Sequence, residues 1–358
     1  MPSLCAFTID DATFARRVAT VCAILVALCA GAVGQTAPPD KSSSARQPKA
    51  KIVSPRVSLA PKFTPGQIFR YEMEFETTTA TSRSGMVSDP QGPSSLVVDW
   101  NATVRMEVLP AGSGTPGDVR LRSTYEKSTA NVHSDSFDPA ADETKAQYQK
   151  LEGKAIEFLL DADGKVKSVS GLEGLADDEK AAQSARQWID QFGASVGAPP
   201  GGVAPGQTWS LQQPANSLPL AGLVWRSDAE YLRDEPCHPP NPELPAASAA
   251  ESATNAQARE VCAVILTKLS LIRPKPLRDL TPEEFRKNGV QAAGKWNGSG
   301  QSLMYVSLAT GLVVSVTQTG TEEMDVTLTT SRSTSLRYAG TIASRSHVAL
   351  VTGESKAE

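Results

Sequence analysis

Cys237 stands immediately before His238, and Cys262 follows beyond a stretch rich in proline, alanine and serine. Such residues offer two chemistries, a thiolate activated by an imidazole or a disulfide. Neighbours on an extended chain point to opposite faces, so Cys237 and His238 make a poor dyad. A bridge closing "HPPNPELPAASAAESATNAQAREV" would contribute about 3 kcal/mol by restricting the unfolded chain. The spacing therefore predicts a Cys237–Cys262 disulfide.

Other chemistry is mostly excluded. Glu322-Glu323 and Asp177-Asp178-Glu179 have the side chains for general acid–base work on glycosides. The first reads as a solvated turn and the second as a helix N-terminus. His133, His238 and His347 lie far apart, with no HxH or HExxH spacing to nucleate zinc. In "WNGSGQ" the glycines around Ser299 are too close for a nucleophile elbow, and a flexible turn explains them better. Asp161-Ala162-Asp163-Gly164 begins like a calcium loop, but its glycine arrives early; it reads as a hairpin turn. Phosphate-binding glycine motifs are absent. No catalytic residue, cofactor or metal ligand is predicted. Trp100, Trp209, Trp225 and Trp296 fall in or beside strands, where aromatics form core.

The N-terminus carries the most specific signal. Arg16-Arg17 precedes the short apolar run "VATVCAILVALCAGAV", and Ala32-Val33-Gly34 precedes Gln35. This is the pattern of a secretory signal peptide over residues 1–34, cleaved between Gly34 and Gln35. A spanning helix needs about 20 apolar residues. Cys29 sits in "VALC", a weak lipobox, because Leu28 occupies a small-residue position; lipid anchoring there is not expected. Cleavage removes Cys5, Cys22 and Cys29 and leaves the Cys237–Cys262 pair. An exported, periplasmic or extracellular location follows, with membrane contact only through an uncleaved signal or a lipid anchor. Net charge is −4 with a pI near 5.6, so nucleic acid is not a predicted partner.

Residues 35–60 are polar and proline-broken, a disordered tether. From Phe63 onward, short alternating runs predict strands. In "FRYEMEF" the apolar residues Phe69, Tyr71, Met73 and Phe75 share one face. One amphipathic helix is predicted near 177–192 from Ala181, Ala185, Trp188, Ile189 and Phe192, capped by Asp177 and ended by Gly193. A shorter helix starts at Thr281, with Pro282 at its first position and Glu284 completing a capping box, and stops at Asn288-Gly289. Pro65-Gly66-Gln67 recurs as Pro205-Gly206-Gln207. "FLLDADGKVKSV" from Phe158 recurs as "YVSLATGLVVSV" from Tyr305, in the same order and at a similar offset. Two ordered matches point to an internal repeat. The predicted organisation is a first β-unit over 61–200 carrying the helix, a second over 201–345 with the disulfide-closed loop 237–262, and a disordered tail over 346–358.

The pattern of Pro-Gly-Gln-aromatic, Asp-x-Asp-Gly-Lys-Val and Ala-Pro-Gly-Gln-Thr-Trp resembles uncharacterised exported bacterial proteins with a domain of unknown function. The resemblance implies a lipoprotein-like, curved antiparallel sheet wrapping a helix, and it transfers no site residue. The expected fold is mainly β, a curved sheet or half-barrel. Three roles fit. One is a non-catalytic envelope protein binding an apolar ligand or a protein partner in the sheet's concavity. The others are a hydrolase with assembled carboxylates and a scaffold without a pocket. A charge-poor concavity marks the first, and two convergent carboxylates mark the second.

Overall fold

In the computed structural model the structure describes residues 55–86, 94–110, 117–135, 139–161, 166–172, 198–199, 201–215, 218–237 and 260–351. The chain forms one curved, unclosed antiparallel sheet of eleven strands. They are β1 (Ile68–Gly85), β2 (Ser94–Leu109), β3 (Val119–Ser134), β4 (Ala155–Leu160), β5 (Val166–Ser170) and β6 (Thr208–Pro214). Then come β7 (Val224–Pro236), β8 (Val261–Ile272), β9 (Val290–Ser307), β10 (Val313–Thr330) and β11 (Ser335–Val351). Among the described residues two helices interrupt them, α1 (Pro139–Gln149) and α2 (Glu283–Lys287). The order across the sheet is β5-β4-β3-β2-β1-β11-β10-β9-β8-β7-β6. Both halves of the chain therefore belong to one sheet, joined where β1 meets β11 from Arg70↔Val351 to Gly85↔Leu336. Residues 346–351, expected in a disordered tail, lie in this pairing because their apolar residues Val348 and Leu350 extend the alternation of β11.

The two Pro-Gly-Gln turns are built alike. Gly66 and Gly206 both take positive φ, 83° and 80°, which glycine adopts without steric penalty. The Gly66 N–H donates to the Val108 carbonyl on β2, and the Gly206 N–H to the Tyr231 carbonyl on β7. The Oε1 atoms of Gln67 and Gln207 accept from the N–H groups of Thr64 and Ala204. One turn opens β1 and the other opens β6. The second sequence echo covers the fourth and fifth strands of each run, β4–β5 and β9–β10. Each fifth strand carries a bulge, at Lys167 and at Val314, which occupy matching positions in the echoed segments. Both echoes thus mark equivalent steps of two successive five-strand runs. The hairpin turn at 162–165 itself lies outside the described residues.

One face of the sheet holds the core. Tyr71, Met73 and Phe75 on β1, Trp100, Val104 and Met106 on β2, Phe158 on β4 and Ile265 on β8 belong to one buried cluster. Trp100 is fully buried, its ring beside those of Tyr125 on β3 and Tyr148 on α1. A curved sheet encloses the face it curls around, and the buried cluster marks that face as the concave one. The helix α1 packs there, with Thr144 and Tyr148 buried and the Tyr148 ring 5.6 Å from that of Trp100. The helix predicted near 177–192 lies outside the described residues, as do the signal segment with Gly34 and Gln35 and most of the tether. The end of the tether is tied down: Val57 pairs with Val203 through two backbone hydrogen bonds. Helix α2 forms where predicted, without the capping box. Thr281 Oγ1 instead accepts from the Ala292 N–H, fixing the start of β9.

Two segments expected as turns are strand interiors. Gly298, Ser299 and Gly300 lie within β9, and Glu322-Glu323 within β10. The glycines suit close packing rather than flexibility. A Cβ on Gly298 would lie 2.6 Å from the Trp225 ring, and one on Gly300 would lie 2.6 Å from the Thr319 carbonyl oxygen.

Candidate functional site

The pairing register sorts charge onto one face. The convex side carries the ion pairs between strands. Arg120 and Arg122 on β3 reach Glu157 on β4 at 2.9 and 2.6 Å, and Arg337 on β11 reaches Asp325 on β10 at 2.7 Å. The Arg122 hydrogen bond, with smaller help from Arg120, holds the Glu157 carboxyl below its ordinary range. Beside Asp325 and Arg337, Ala293, Gly294, Lys295 and Thr327 complete a shallow, solvent-open depression. Along the described strands, the concave face carries charge only at Arg83, Asp234 and Glu322. Asp234 accepts from the Tyr231 hydroxyl, whose deprotonation burial opposes.

The concave face has three zones along the strand direction. The end where β1 begins holds the main core. The opposite end holds a second apolar cluster of Leu220, Leu223, Ala292, Trp296, Met324 and Val326, with Trp225 and Tyr338 packed on it and partly exposed. Between them runs a waist of small and polar residues. One row across it reads Thr77, Ser344, Gly320 and Gly300, and the next reads Thr79, Ile342, Glu322 and Gly298.

Two of the three unpartnered buried polar atoms among the described residues, on Thr77 and Gln213, lie along these rows. Thr77 is 7% exposed, and its Oγ1 has no hydrogen-bond partner. The Nε2 of Gln213, which pairs across β6–β7 with Trp225, is buried and also unpartnered. Arg273, just past the end of β8, has a buried Nε without a partner. Leaving such groups unmade costs on the order of 1–3 kcal/mol each, so in a native fold they are met by ordered water, a bound occupant or a functional need.

Glu322 is the acid of this waist. Burial raises its carboxyl above the ordinary range, and a hydrogen bond from Trp296 Nε1 to Oε2 at 2.7 Å opposes that only partly. Among the described residues no Lys or Arg pairs with it. Its neighbour Glu323 points to the opposite, solvent-facing side, so the two carboxylates do not converge. A raised native pKa means that the folded chain holds a proton that the unfolded chain has released. Stability therefore falls as pH rises through the window above the ordinary glutamate value. Glu322→Gln should flatten that slope, raising the urea midpoint at pH 8 while leaving it unchanged at pH 4. Equal midpoints for both proteins at pH 8 would count against the burial of this carboxyl.

The Cys237–Cys262 disulfide is present, with Cα atoms 4.9 Å apart. It joins the end of β7 to the start of β8 beneath Val314 and Tyr305 on the convex side, away from the waist. That pairing removes the alternative of a reactive Cys237; His238 and Asp177-Asp178-Glu179 lie outside the described residues. His133 and His347 sit on separate strands, β3 and β11. Among the described residues no three His, Cys, Asp or Glu side chains gather as a metal site, and no helix is long and apolar enough to cross a membrane. Of the tryptophans, Trp100 is core, whereas Trp225 and Trp296 share the second apolar cluster. Thr77, Gln213 and Glu322 escaped the sequence reading as site residues. The signal for Glu322 was the alternation Val316, Gln318, Gly320, Glu322, Met324, hidden by the adjacent acid.

No family model matches the sequence, and no curated protein does. Among solved structures the chain is similar to lipovitellin, studied for its lipid–protein interactions. That match has a TM-score of 0.42 and 11% identity, covering 83% of this chain and 26% of that one. This chain thus spans about a quarter of that protein. An outer membrane channel from Pseudomonas putida scores 0.22 at 7% identity, and the outer membrane protein OprG from Pseudomonas aeruginosa scores 0.15 at 6%. Each covers 81% of this chain and 97% of the other. These scores are too low to carry the reading further.

Proposed function

We propose that the chain is a non-catalytic exported envelope protein that holds an apolar ligand against the concave face of its sheet. One observation carries this reading. The concave face is poor in charge and apolar at both ends, and its waist contains buried polar atoms with no partner in the protein. Such a surface favours an occupant with an apolar body and few hydrogen-bonding groups. The two-carboxylate arrangement of a hydrolase has less support, because Glu322 and Glu323 face opposite sides. The disulfide supports export to an oxidising compartment. The kinship with exported bacterial proteins belongs to the same proposal.

A neutral apolar fluorophore, N-phenyl-1-naphthylamine, tests it. The native chain should bind the probe saturably with a blue-shifted emission, and Trp225→Ala should weaken binding by about tenfold, as expected for loss of a large aromatic anchor. Absence of saturable enhancement in the folded protein would overturn the reading.

A further inference from the structure

We propose that Glu322 is the head-group subsite of the concave face and takes a protonated amine carried on an apolar tail. This inference rests on the apolar-ligand reading. The carboxyl lies on β10 opposite Gly298 of β9 and Ile342 of β11, neither of which offers it a polar side chain. Its single hydrogen bond comes from the Trp296 indole N–H. Trp225 rests on Gly298, directly beside the acid, because that position has no side chain to hold the ring away. The carboxyl therefore lies close to two indoles, within the cluster that Tyr338 also joins.

A carboxylate withdrawn from water without a cation is costly. Arg83, the one cation along the described strands of this face, makes no ion pair with Glu322, and neither does Arg273. An ammonium group supplies the missing charge. A hydroxyl head would leave the charge uncompensated, and a carboxylate head would be repelled. Trp225 is only partly buried, so the subsite opens toward solvent beside the apolar cluster. The raised carboxyl described above is the expected signature of such a site before its cation arrives.

The experiment compares three probes of equal chain length, decylammonium, decanol and decanoate. Each is titrated below its micelle concentration into wild type, Glu322→Gln and Trp296→Phe, with tryptophan emission and calorimetry as readouts. Wild type should prefer decylammonium over decanol by about tenfold or more, as a desolvated charge pair would give. Glu322→Gln should remove that preference, bringing decylammonium binding to the level of decanol. Its amide oxygen still accepts from Trp296, so the variant keeps the local fold, which circular dichroism verifies. Trp296→Phe, which keeps the charge but frees its acceptor, should retain the preference. Equal binding of decanol and decylammonium to wild type, or a preference that survives in Glu322→Gln, would overturn the subsite and leave the apolar-ligand reading standing. If none of the three probes binds, both fall together.

Discussion

Trp100→Ala lowers stability by about 3–5 kcal/mol in urea unfolding, the cost of removing a fully buried indole and leaving a cavity. Trp100 has no exposed surface, and its ring centroid lies 6.3 Å from that of Tyr125 and 5.6 Å from that of Tyr148. Its Nε1–H donates to Ser128 Oγ at 2.9 Å, and that hydroxyl donates to the Tyr148 carbonyl at 2.6 Å. One side chain thus ties β2 to β3 and both to α1. The variant should lose near-ultraviolet dichroism from this cluster along with stability. Trp225→Ala, at a partly exposed site, should cost clearly less. A larger loss at Trp225 than at Trp100 would contradict the placement of the core.

Replacing both Cys237 and Cys262 with alanine should cost about 3 kcal/mol, the loop-closure entropy released to the unfolded chain. The two cysteines are 25 residues apart and almost completely buried. The ladder beneath them continues to the base of the loop, where the Cys237 N–H donates to the Glu260 carbonyl at 2.9 Å. Native geometry therefore survives without the bond, and the loss should appear in the urea midpoint with an intact far-ultraviolet spectrum. Reductant should act on wild type only once denaturant exposes the sulfurs. Rapid reduction of the folded chain, or no change in midpoint, would count against this role.

Strand identity was legible wherever one face is uniformly apolar. Tyr71, Met73 and Phe75 show it on β1, and Val104 and Met106 on β2, because the pleat has a period of two. The Pro-Gly-Gln turns were legible because a glycine with positive φ and a glutamine that hydrogen-bonds back are local features. The waist was not legible. Gly298 and Gly300 read as turn residues by composition, but their reason for being glycine is a ring and a carbonyl supplied by distant strands. Glu322 read as solvated because it stands next to Glu323, and only the register of β10 against β9 and β11 turns it inward. The helix α1 was missed because Thr144 sits in its buried stripe and breaks the apolar pattern. Sequence could place Trp225 and Trp296 in or beside strands, but only the strand pairing brings them together beside one acid.

Occupancy of the concave face by an apolar molecule is read most directly by native mass spectrometry on the chain from Gln35, purified from its producing cells and then exposed to a total lipid extract. A reproducible adduct of apolar mass is expected, released on denaturation and diminished in Trp225→Ala. A bare chain at every charge state, both as purified and after exposure to the extract, would contradict it.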